Sequence, residues 1–299
     1  MNLRSKLFYS YLLLVIIYAA AALLPAPSPV LLVHYHISAL GLRILYLTII
    51  VILAAIWFVG FYGYTKLRTY SQLIQKTKDG KQVGKLVTGL WLIVLWLPVS
   101  SVSAALLNYW AVKHQGLLAT VTIINNYVSL FFPLAGFAYV SMGARGLSEL
   151  VKQRPTQRAT NLLAVLLVYV GLIDYYLVAS TPGRAAVYHM SIWLIMTTLV
   201  APYICMWFIG LLATYEIFNY RLKAPGILYR DSWRLLALGL GWLITVSIVF
   251  QYLTTVVSRL DNLSIYWIVG IIYSLLLVLS IGFVLIAAGS RKLQKMEQV

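Results

Sequence analysis

Eight long apolar runs constrain this chain more than any other feature. They cover about 7–24, 38–64, 86–111, 118–143, 161–180, 188–215, 235–257 and 264–288. Each reaches the roughly 17–25 residues that a helix needs to cross about 30 Å of hydrocarbon. Membrane barrels use shorter strands of alternating polarity, so uninterrupted runs of this length exclude a barrel. The sequence therefore predicts an all-α integral membrane protein with eight transmembrane helices.

The positions of the basic residues predict the orientation of these helices. With the N-terminus inside, nineteen of the 23 Lys and Arg residues fall at the chain start or in the inner segments 66–85, 145–158, 221–234 and 291–295. Lys and Arg accumulate on the cytoplasmic side, so both termini are expected there, in a plasma or inner membrane. Removing the first run as a signal peptide would reverse this pattern, so it is kept as a helix. The net charge of +16 then reflects topology and an anionic cytoplasmic leaflet, without a nucleic-acid partner.

Three short motifs occur twice, in one order and at nearly constant spacing. They are WFVG at 57–60 with WFIG at 207–210, LWLI at 90–93 with GWLI at 241–244, and GARGL at 143–147 with GSRKL at 289–293. Four spans in each half give both halves the same orientation, related by an axis along the membrane normal. We therefore expect two parallel four-helix repeats, 1–152 and 161–299, joined by a cytoplasmic connector at 153–160.

A few polar residues fall inside the spans, at similar depths in the outer third of the bundle. Arg43 and Asp174 are each expected about 8–10 Å below the outer boundary, and Asn125, Asn126 and Gln251 lie at similar depth. Ionisable groups at such depths indicate function by default. The layer has two interpretations: a cavity for a small polar or anionic ligand, or a structural ion pair with interhelical amide hydrogen bonds. The structural pair is preferred, because one acid and one base neutralise each other.

A second group of charges is expected near the cytoplasmic face. Lys66 and Glu216 each follow the tryptophan of their repeat by the same number of residues, so they are pseudo-equivalent and of opposite charge. They could form a pair, or Glu216 could pair with Arg145 or Arg291. An exposed interfacial pair of this kind contributes little to stability.

His36 and His189 occupy related positions at the outer ends of their spans. Paired histidines can ligate haem or a transition metal. These two are expected at the rim with no carboxylate cluster nearby, so they are only weak metal candidates. The single cysteine, Cys205, excludes a disulfide framework. No cofactor is predicted.

Aromatic residues at the span ends predict an interfacial belt. Tyr64, Tyr220 and Trp233 are examples. The segment at 66–85 is expected to extend the preceding helix to a turn at Gly80.

Three hypotheses for function remain open. The preferred one is a non-enzymatic module, either a sensor-like unit or a subunit of a complex with a membrane or cytoplasmic partner protein. It is preferred because the spans carry almost no groups for chemistry. The alternative is a small-solute transporter or channel that uses the interface between the halves. The third is a redox protein acting on haem, quinone or a lipid.

Overall fold

A computed structural model describes residues 38–113, 118–151, 191–223, 227–257 and 265–296, together with residues 9, 12, 13, 16, 157, 160, 161, 163–165, 167, 168 and 171. All regular secondary structure in these ranges is helical. The predicted all-α class is confirmed for this part of the chain. The predicted spans at 7–24 and 161–180 lie largely outside it.

The helices with described bounds follow one another in chain order. They are α1 (Ala39–Leu73), α2 (Lys78–Lys113), α3 (Leu118–Leu150), α4 (Ile192–Ile195), a π turn (Met196–Val200), α5 (Ala201–Lys223), α6 (Ile227–Val257) and α7 (Ile265–Met296). Six helical stretches of the described residues are long and apolar enough to cross a membrane. This is the property expected of a multi-pass integral membrane protein.

The turn between α1 and α2 lies earlier than predicted. It occupies 74–77, and Gly80 lies in the first turn of α2. The hydroxyl of Thr77 caps α2 by accepting a hydrogen bond from the Gly80 amide at 3.2 Å and donates one to the Ile74 carbonyl oxygen at 2.7 Å. A Cβ at Gly80 would collide with the same carbonyl oxygen. The glycine therefore allows the turn to pack on the start of α2 and does not end a helix.

The helices pack side by side in a closed ring. α1 contacts α2 and α7, α3 contacts α2 and α5, and α6 contacts α5 and α7. The C-terminal ends of α1, α3, α5 and α7 meet the N-terminal ends of α2 and α6 at one end of this ring. We call it the basic end, because most Lys and Arg residues of these helices lie there. They are Lys66, Arg68, Lys76, Lys78, Lys81, Lys85, Arg145, Arg221, Lys223, Arg230, Arg234, Arg291, Lys292 and Lys295.

Two glycine pairs bring neighbouring helices into backbone contact. A Cβ on Gly89 of α2 would lie 2.5 Å from the carbonyl oxygen of Gly136 on α3. A Cβ on Gly239 of α6 would lie 2.7 Å from the carbonyl oxygen of Gly282 on α7. Small residues allow membrane helices to approach this closely. These crossings set the spacing of the α2–α3 and α6–α7 pairs.

The π turn lies immediately before Pro202. The amide of Ala201 bonds to the carbonyl of Met196, one residue further back than in an α-helix. Proline has no amide hydrogen, and its ring clashes with the carbonyl four residues earlier. Widening the preceding turn relieves that clash, and single π turns of this kind interrupt otherwise regular helices. By contrast, α2 and α3 remain α-helical through Pro98 and Pro133.

Candidate functional site

The predicted polar layer is only partly represented among the described residues. Arg43 lies near the start of α1 with an exposed side chain. Asp174 lies outside the described residues, so the Arg43–Asp174 pair stays a prediction. Asn126 and Gln251 lie on α3 and α6, and their side chains are outside the described part.

Asn125 makes an interhelical contact. The Ser103 hydroxyl on α2 lies 3.0 Å from Oδ1 of Asn125 on α3, and also 3.0 Å from the carbonyl oxygen of Ser100 on its own helix. The hydroxyl has one proton, so it donates to one of these acceptors at a time. Side-chain hydrogen bonds of this kind join membrane helices. If the polar layer has a structural role, it requires interhelical hydrogen bonds of this type.

The four charged candidates near the basic end have different environments. The ammonium of Lys66 lies 5.3 Å from the centre of the Tyr62 ring. Arg145 forms an ion pair with Glu149 at 3.1 Å, with both side chains about two-thirds or more exposed. Glu216 is half-buried, and Arg291 is exposed. The pairing of Lys66 with Glu216 stays a prediction.

The weak metal candidates His36 and His189 lie outside the described residues. Within the described residues, no group of three or more His, Cys, Asp or Glu side chains is placed to hold a metal ion.

A cluster of aromatic side chains closes the ring at the basic end. The hydroxyls of Tyr70 on α1 and Tyr229 on α6 share a hydrogen bond. Tyr220 on α5 packs edge-on against Trp233 with ring centres 5.0 Å apart, and Tyr229 packs against the same indole at 6.1 Å. Asp79, at the start of α2, lies near Tyr220. We call these residues the tyrosine clasp.

The clasp corrects the predicted aromatic belt. Trp233 is fully buried, and Tyr220 and Tyr64 are also buried. These side chains face the interior of the bundle, because neighbouring helices cover them. The indole nitrogen of Trp233 is buried without a hydrogen-bond partner among the described residues. Tyr62, by contrast, is partly exposed, as a belt residue should be.

Sequence reasoning missed Tyr70, although a signal was present. Tyr70 and Tyr220 each follow the tryptophan of their repeat, Trp57 or Trp207, by the same number of residues. Both tyrosines are buried. Two tyrosines at equivalent positions of the repeats, both beyond the ends of the predicted spans, indicate packing against other helices and not contact with lipid.

Above the clasp, the centre of the ring is filled with apolar side chains. It contains a cavity of about 20 Å³, roughly the space of one water molecule. The cavity is lined by Leu67, Leu86, Leu90, Val140, Ile217, Trp233, Leu236, Leu240 and Ile286. A water needs two to four polar partners, and almost none of this lining is polar. This lining does not favour a bound water molecule.

Comparisons with family models, curated proteins and solved structures find no match to this chain.

Proposed function

We propose that this protein is a non-catalytic membrane module, either a sensor-like unit or a subunit of a membrane complex. The apolar packing of the ring centre carries the proposal. Leu, Ile, Val and Trp side chains fill that centre, and the tyrosine clasp closes it at the basic end. At this level of the ring the side chains that face the centre offer almost no polar lining for a hydrated path. The module would act through its outer surfaces, on a membrane or cytoplasmic partner protein and on an anionic leaflet.

We further propose that the chain forms eight spans, as two parallel four-helix repeats at 1–152 and 161–299 with the connector at 153–160. Matching contacts support this arrangement. Val140 contacts Gly89 as Ile286 contacts Gly239. On the same two helix pairs, Gly143 lies against the carbonyl of Gln82, and Gly289 lies against the carbonyl of Ser232.

These contacts favour a slightly different register from the sequence motifs. If Gly89 corresponds to Gly239, then Trp91 corresponds to Gly241 and not to Trp242. The two tryptophans also have different surroundings. Trp91 lies 4.8 Å from the ring of Tyr64, whereas Trp242 is partly exposed and donates a hydrogen bond to the carbonyl of α7 residue 278 at 2.7 Å. The alignment that the contacts favour is therefore shifted by one residue from the alignment of LWLI with GWLI.

For orientation, we propose that the basic end faces the cytoplasm of a plasma or inner membrane, with both termini inside. The test uses a Cys205→Ala background with one new cysteine at a time, at Lys76 or Lys113. An impermeant maleimide should label position 113 in intact cells and position 76 only after permeabilisation. The opposite labelling pattern would reverse the orientation.

The module role is tested in the cell that naturally produces the protein. After mild solubilisation, the chain should migrate in native gels in an assembly larger than the same chain expressed alone. Purified chain in liposomes should show no flux of ions or small solutes. A chain that migrates alone from its own membrane would contradict the role as a complex subunit.

One observation favours a transporter as the second candidate. The clasp joins residues on opposite halves of the proposed repeat, Tyr70 with Tyr229, and it lies at one end of the ring. In a transporter, a contact of this kind would be the closed gate of an outward-facing state. Tyr229→Phe should then raise solute flux in liposomes, whereas Tyr139→Phe, at a partly exposed site on α3, should not. Equal flux through both variants and the unaltered chain would remove the clasp from any gating role.

A further inference from the structure

The turn between α5 and α6 concentrates arginine. Arg221 lies in the last turn of α5, and Arg230 and Arg234 lie in the first two turns of α6. Arg230 and Arg234 are four residues apart on one helix and so occupy the same face. Like charges at this spacing destabilise a helix, and the positive end of the α6 dipole adds to the unfavourable potential. Topology alone does not require such an arrangement.

Arg221 is held in a defined position. Its guanidinium lies over the ring of Phe218, 5.4 Å from the ring centre. Its Nε is shielded from solvent and has no hydrogen-bond partner among the described residues. A buried donor without an acceptor is unfavourable. The arrangement therefore favours an acceptor that the described residues do not supply.

The local charge balance is strongly positive. Arg221 lies within electrostatic range of Arg230, Arg234 and Asp231. Two of the charged groups that act on Arg221 are therefore cationic and one is anionic. The side chains of Arg230 and Arg234 are exposed, so an anion could reach the cluster from the aqueous side of the membrane.

The corresponding turn between α1 and α2 lacks this cluster. In the register set by the glycine contacts, Ser71, Gly80 and Gly84 take the places of the three arginines. The start of α2 is also basic, through Lys78, Lys81 and Lys85. The arginine cluster is therefore a feature of one half and not a requirement of the shared scaffold.

We propose that Arg221, Arg230 and Arg234 bind a phosphate group at the basic end. Guanidinium groups present planar pairs of donors that match phosphate oxygens. The cluster lies at the ends of two helical stretches that are long and apolar enough to cross a membrane, where lipid headgroups would meet water. The phosphate could belong to an anionic lipid or to a soluble phosphate. The inference stands apart from the proposed module role, which its failure would leave intact.

The test compares two variants that lose the same charge at the same end of the bundle. R221Q/R234Q removes two cluster arginines, and K81Q/K85Q removes two lysines from the start of α2. Binding of phosphatidate and phosphatidylcholine to the full chain is measured in detergent by native mass spectrometry. A thermal-shift titration with inorganic phosphate tests whether the cluster binds a soluble phosphate.

Phosphatidate should bind the unaltered chain in preference to phosphatidylcholine. R221Q/R234Q should weaken that binding about tenfold or more, because charge-assisted hydrogen bonds are lost, and K81Q/K85Q should leave it within about twofold. A thermal shift with inorganic phosphate that is lost in the same variant would assign the site to soluble phosphate. Equal losses in both variants, or no preference for either phosphate source, would overturn the proposal.

A further variant separates the site from folding. R221K keeps the charge but removes the planar donor fork, so it should weaken phosphatidate binding while the elution volume and tryptophan fluorescence stay unchanged. If R221K binds as the unaltered chain does, Arg221 is not a ligand of the phosphate.

Discussion

The glycine crossing of α2 and α3 supports a quantitative prediction. Gly89→Ala would place a Cβ 2.5 Å from the carbonyl oxygen of Gly136 and 2.8 Å from the amide nitrogen of Val140. Both are backbone atoms, so neither can move aside by a change of rotamer. Reaching van der Waals distance requires the helices to separate by roughly 1 Å. Overpacking of this kind costs about 1–3 kcal/mol.

Gly84→Ala is the matched control, because it makes the same chemical change in the same helix. A Cβ at Gly84 meets no atom within 4 Å. Alanine is about 1 kcal/mol more favourable than glycine in a helix interior, and both variants gain that term. Their difference therefore isolates the packing strain, and we expect Gly84→Ala to be more stable than Gly89→Ala by about 1–3 kcal/mol.

The measurement is unfolding of the purified chain in mixed detergent micelles, followed by tryptophan fluorescence. Gly239→Ala, which would place its Cβ 2.7 Å from the carbonyl oxygen of Gly282, should behave like Gly89→Ala. If Gly89→Ala is as stable as Gly84→Ala, the backbone contact between α2 and α3 does not exist as described.

Three further substitutions test other contacts. Trp242→Phe removes the indole hydrogen bond to α7 and should lower the free energy of unfolding by about 1 kcal/mol in the same assay; no change would show that the bond does not form. Arg145→Ala removes an exposed ion pair and should cost at most about 0.5 kcal/mol; a loss several times larger would reveal a further partner. Pro202→Ala restores an amide hydrogen and should convert the π turn to an α-helix, rotating the preceding segment by about 100°. The measurement is the distance between two spin labels, one at Trp193, which is 80% exposed, and one on α6, and this distance should change. An unchanged distance would show that the proline does not cause the π turn.

The sequence predicted the helical class and the positions of the six described spans. Comparing the length of an apolar run with the thickness of the bilayer requires only the local sequence. Helix ends were predicted less well. The expected extension of α1 past 64 is present, because straight-chain residues such as Lys66 and Arg68 remain favourable in a helix after it leaves the hydrocarbon. It ends at Leu73 and not at Gly80.

The environment of the aromatic residues could not be derived from their position along the chain. A tyrosine at a span end can place its hydroxyl in the lipid interface or against another helix, and both satisfy the same local pattern. Tyr62 and Tyr64 are two residues apart, yet one is partly exposed and the other buried. The neighbouring helix decides between the two environments.

By itself, the sequence determined that this chain is a helical membrane protein with most of its basic residues in a few short segments. Hydrophobic length and charge are properties of single segments, so no knowledge of neighbours is needed. Tertiary structure alone decided that the helices close into a ring, that Gly89 meets Gly136, that Tyr70 meets Tyr229 and that Arg221 lies near Arg234. These contacts join residues that are distant in sequence, and they depend on which helix faces pack together.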